Sequence, residues 1–95
     1  MFIQTLLPPV AGELFRFSVS GCAGKTNVVV YVHDRRILHR ELNELLSKLA
    51  VMVPEDAGGA TLSIDAIDTT GVCKTLEYEV SETPPLAHSM LAATR

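Results

Sequence analysis

Four groups of residues in this chain carry side chains capable of chemistry, and their spacing decides what each group can do. Gly21-Cys22-Ala23-Gly24-Lys25-Thr26 ends in the Gly-Lys-Thr of a phosphate-binding loop. That loop also needs a glycine ahead of four spacer residues, a position held here by Val19, and a helix after it whose first N–H groups hold the phosphate. In place of that helix stands Val28-Val29-Val30-Tyr31-Val32, a β-branched run that reads as strand. The segment is expected to be a turn between strands. The three histidines, His33, His39 and His88, make no ligand cluster. His33 and His39 lie six apart, wrong for one helical face, and Asp34 adds only one carboxylate, so no metal is expected.

Nucleophiles fare no better. Cys22 lies near Lys25, but the sequence sets no general base beside it. Asp65 and Asp68 flank Thr69-Thr70-Gly71 and read as exposed turn residues. Cys22 and Cys73 form no Cys-x-x-Cys, so they are expected to be free thiols of a reducing compartment, with a bridge possible only if their strands are neighbours. No catalytic constellation and no cofactor site is expected.

One cluster runs against local physics. Arg35, Arg36, His39 and Arg40 crowd the start of an expected helix, where the macrodipole disfavours positive charge by a few tenths of a kcal/mol each. They read either as a solvated face or as a docking patch for an acidic partner, with Arg suited to bidentate carboxylate recognition.

The elements that must position these groups are set by periodicity. In the segment from Glu13 to Ser20, Phe15, Phe17 and Val19 alternate with Arg16, Ser18 and Ser20, the pattern of a half-buried strand. Val28 to Val32 reads as a central strand buried on both faces. Asp34 is placed as an N-cap for a helix from about Arg35 to Val51, with Leu38, Leu42, Leu45, Leu46 and Leu49 as its apolar stripe. Two further strands, 60–67 and 72–80, are expected to pair as a hairpin. The fold class is therefore α+β: a single antiparallel-rich four-stranded sheet with one amphipathic helix on one face, in the order β-β-α-β-β. Residues 1–95 make one domain, with an N-terminal arm (1–10) and a tail (84–95). Phe2, Ile3, Leu6 and Leu7, and separately Leu86, Met90 and Leu91, either fold back on the core or insert into a neighbouring chain.

Bulk properties narrow the function. A net charge of −3, no Trp, and only three Phe and two Tyr argue against nucleic-acid binding. The N-terminus carries no basic stretch and its apolar run breaks at Pro8-Pro9, which reads as no signal peptide. No run approaches the ~20 apolar residues of a membrane span. The expectation is a soluble, cytoplasmic protein.

Phe15-Arg16-Phe17-Ser18-Val19-Ser20-Gly21, then Val28 to Val32, the helix from Arg35, and Gly58-Gly59 before Leu62-Ser63-Ile64 resemble, in order, the parts of the small linker domain that caps phycobilisome rods. The resemblance covers residues 13–67 and implies a non-enzymatic adaptor seated inside a phycobiliprotein ring. Departures are the longer stretch from Val51 to Ala57, the acidic charge, and the strand 72–80.

The functional expectation is a non-catalytic protein–protein adaptor or assembly component, docking through Arg35, Arg36, His39 and Arg40 with Phe15 and Phe17 as apolar contacts, and through the terminal arms. Its partner is a protein with an acidic surface, or a second copy. The alternatives are a small ligand-binding or regulatory α+β domain acting as a homodimer and, third, a small enzyme.

Overall fold

The structure is a computed structural model that describes residues 1–82. Seven strands account for nearly all of its regular structure: β1 (Phe2–Thr5), β2 (Leu14–Ser20), β3 (Thr26–Val32), β4 (Arg35–Leu42), β5 (Leu46–Met52), β6 (Thr61–Asp68) and β7 (Cys73–Glu79), with one 3-10 turn at Glu55–Ala57. They form a three-stranded sheet, β1-β2-β5, and a four-stranded sheet, β4-β3-β6-β7, with every neighbouring pair antiparallel. β2 pairs β5 in one sheet and β3 pairs β6 in the other, and the β2–β3 and β5–β6 connections cross between sheets.

The expected strands at 13–20, 28–32, 60–67 and 72–80 are present as β2, β3, β6 and β7, and the last two form the expected hairpin. The α+β fold with one amphipathic helix is overturned. Residues 35–51 are two strands in different sheets, joined across the sandwich. The reason lies in a spacing of four, which serves a helix face and a strand face equally. Leu38 and Leu42 both point inward from β4, opposite Val30 and Thr26. Asp34 caps nothing. It forms with His33 the two-residue turn between β3 and β4, and His33 adopts φ 54° to make the reversal. Helix propensity along this stretch yields to the pairing that β2 and β3 demand on their free sides.

One core fills the space between the sheets. Phe15, Phe17 and Val19 of β2 and Val51 of β5 meet Val28, Val30 and Val32 of β3, Leu38 and Leu42 of β4, and Leu62, Ile64 and Ala66 of β6. Phe15 touches Tyr78 of β7 with ring centroids 5.9 Å apart, so aromatic contact spans the two sheets. Each fully buried aliphatic contributes about 1.5–3 kcal/mol relative to exposure. β3 is central, but only its inner face is dry; Val29 and Tyr31 stay half-exposed on the outer one.

The N-terminal arm divides. Phe2–Thr5 pairs with β2 and buries Ile3, whereas Leu6 and Leu7 remain 99% and 74% exposed. Leu86, His88, Met90 and Leu91 lie outside the described residues.

Candidate binding face

The inward alternation of β2 that builds the core also dictates what the other side of the small sheet presents. Register puts Phe2, Ser20 and Leu46 in one outward row, Gln4, Ser18 and Lys48 in the next, then Arg16 with Ala50, then Leu14 with Met52. Four of these are large apolar side chains left in water: Phe2 is 62% exposed, Leu14 47%, Leu46 52% and Met52 60%. Leu6 stands beside them. Apolar groups gathered on one face are what marks an interaction surface; scattered singly they mean little.

Between the apolar rows lie two cations. Arg16 and Lys48 are diagonal neighbours on adjacent strands, roughly 7–8 Å apart. Neither forms an ion pair among the described residues, where the salt bridges are Lys25 to Glu41 at 3.3 Å and Arg35 to Asp56 at 3.4 Å. The strands β1, β2 and β5 contain no Asp or Glu, although the chain has eleven. A groove of about 500 Å³ runs over this region, lined by Gln4, Leu6, Arg16, Ser18, Lys48 and Ala50. Ala50 makes the space, because its methyl leaves the flanks of both cations open.

The residues singled out from sequence are dispersed. Phe15 and Phe17 are 3% and 4% exposed and stack on each other at 5.7 Å, so they are core, not contact residues; the pleat that exposes Arg16 turns its two neighbours inward. Arg35, Arg36, His39 and Arg40 lie on the edge strand β4, not on a helix. Arg35 is tied to Asp56, His39 lies 3.2 Å from the Asn27 Oδ1, and Arg40 donates to the His39 carbonyl. Arg36 faces outward opposite Tyr31, whereas Arg40 stands on the core side opposite Val28. They do not converge on one surface.

His33, Cys22 and the Asp65/Asp68 pair also stay apart. His33 sits in the β3–β4 turn, at the opposite end of β3 from Cys22. Asp65 accepts from the Thr75 hydroxyl at 2.8 Å on the outer face of β6. Asp68 is buried at the other end and organises the turn into β7. Its Oδ1 accepts from the Thr70 hydroxyl at 2.6 Å and from the backbone N–H groups of Thr70 and Val72. The Thr70 hydroxyl, ahead of the backbone N–H groups of Thr70, Val72 and Ala23, holds its carboxyl below the usual carboxylate range, against the opposing effect of desolvation. Cys22 is buried and Cys73 exposed, both as free thiols. Among the described residues no three His, Cys, Asp or Glu side chains come together as a metal site, and no helix is long and apolar enough to cross a membrane.

Sequence reasoning gave Arg16, Lys48, Leu46 and Met52 no binding role, and placed Leu46 in the apolar stripe of the expected helix. The usable signal was the absence of acidic residues from 14–20 and 46–52, which becomes meaningful only when those segments are known to be neighbours. Comparison with protein-family models, curated proteins and solved structures found no match, so none of them bears on the resemblance to rod-capping linkers.

Proposed function

We propose that this protein is a non-catalytic adaptor or assembly component that binds an acidic protein partner through the outer face of its three-stranded sheet. The observation that carries this reading is charge segregation. A chain of net charge −3 keeps every carboxylate off that sheet, while two cations without ion-pair partners among the described residues sit there between exposed Leu14, Leu46, Met52 and Phe2. An apolar patch around unpaired charge is costly to leave in water and complementary to a surface of opposite sign. The partner chemistry expected from the sequence is retained, and the surface that meets it moves from β4 to the small sheet.

The double variant Arg16→Glu, Lys48→Glu tests it. Both side chains are exposed, so melting temperature should change little. Quantitative capture from the native extract should lose a specific partner that wild type retains, and that the control Arg36→Glu also retains. Capture of the same partners by all three proteins refutes the reading.

A second reading is favoured by the groove. Its ~500 Å³ volume lies within the usual range of small-ligand sites. Its two cations suit the carboxylate of a small amphipathic acid. Thermal stabilisation by such acids, lost in the same double variant, supports it over the adaptor reading.

A further inference from the structure

Among the described residues four strands form the edges of the two sheets, and three of them carry the features that natural sheets use to block further pairing. β4 holds Arg35, Arg36, His39, Arg40 and Glu41, with Arg40 on its core side and a bulge where Ile37 is the extra residue. β7 has Lys74 on its core side and Glu77 and Glu79 on the other. β1 is four residues long and is soon followed by Pro8-Pro9. β5 has the fewest of these features, a single charge and nothing else. Its seven residues pair with β2 without a break in register, include neither Pro nor Gly, and bear one charge, Lys48.

We propose that β5 is a docking edge for an extended acidic segment of a partner protein, which adds as a fourth strand to the sheet β1-β2-β5. This rests on the binding face of the small sheet and specifies how that face is read. Backbone hydrogen bonds to the edge, which no described strand pairs, supply affinity, and alternate side chains supply specificity. The outward residues of the added strand stand beside Leu46, Lys48, Ala50 and Met52 in turn. A carboxylate beside Lys48 meets its ammonium. A carboxylate beside Ala50 reaches across the methyl to Arg16, the direct partner of Ala50 on β2. Leu46 and Met52, both more than half exposed, take apolar side chains. The recognised pattern is apolar-x-acidic-x-acidic-x-apolar. The chain's own β7 offers Glu77 and Glu79 at that spacing, but Thr75 and Ser81 stand where apolar residues are required, so a separate partner fits better than a second copy.

The probe is a labelled, end-capped peptide containing Leu-Thr-Glu-Thr-Glu-Thr-Leu, titrated into the full chain at low salt with anisotropy as readout. Saturable binding is expected, with amide shift changes centred on residues 46–52. Two peptides, N-methylated at alternate residues in the two possible phases, block one backbone edge each; one should lose at least about tenfold in affinity. Replacing both Glu by Lys should abolish binding to wild type and restore it to the variant Arg16→Glu, Lys48→Glu. Equal affinity of both N-methylated peptides overturns strand addition while leaving the face as a binding surface. Absence of binding, shifts centred on β4 or β7, a wild-type dimer joined through β7, or binding of anionic vesicles in place of the peptide each overturns the proposal.

Discussion

At the scale of single residues, Asp68 and its neighbour Thr69 tie two connections together. The hydrogen bonds of Asp68 close the β6–β7 turn, and Thr69 joins that turn to the β2–β3 connection through the Lys25 and Ala23 carbonyls. Because the folded pKa of Asp68 is depressed, its stabilising contribution is fully present above the unfolded carboxylate range. That contribution is lost as pH falls below about 4 and through the lower folded value. Asp68→Asn should therefore have a lower urea midpoint than wild type at pH 7, and the gap should narrow toward pH 3. A constant gap across that range contradicts the assignment. The cysteines give an independent residue-scale check. Under native conditions a thiol reagent should modify Cys73 rapidly and Cys22 only as the fold opens, since the first is exposed and the second buried.

At the scale of elements, the β3–β4 hairpin carries the largest departure from expectation. Its turn depends on His33 at φ 54°, a left-handed conformation that β-branched residues adopt only with strain. His33→Val should cost about 1–2 kcal/mol in denaturant unfolding, and His33→Gly should not. Equal stability of the two variants would place no strain at this turn. The strands β2, β6 and β7 were legible because their apolar residues alternate at a period of two, which a helix does not mimic, and β3 because its unbroken β-branched run favours strand. β4 and β5 were not. Leu38/Leu42 and Leu45/Leu49 repeat at intervals of four, and Arg40–Glu44 and Glu44–Lys48 complete the appearance of a helix face. The binding face was illegible for the same reason: Lys48, Leu46 and Met52 become neighbours of Arg16 and Leu14 only when β5 is a strand.

At the scale of the whole molecule, the described residues leave four sheet edges unpaired and guard them unequally. Arg40 on β4 and Lys74 on β7 point to the core side of their edges, where burial against another chain would leave a charge without water. Lys48 is the sole charge on β5. Lys48→Val should raise self-association, seen by light scattering, with little change in melting temperature, and Arg40→Val should do so at the other sheet. Unchanged scattering for both would mean that these charges do not guard the edges.

Taken alone, the order of residues determined four strands, one hairpin and the alternation of β2, β6 and β7. All of these depend on patterns a few residues long. The second sheet, the strand nature of 35–52 and the joining of Arg16 to Lys48 were decided only by tertiary pairing. A spacing of four satisfies both helix and strand, and the choice between them falls to whichever partner offers hydrogen bonds and a face to bury.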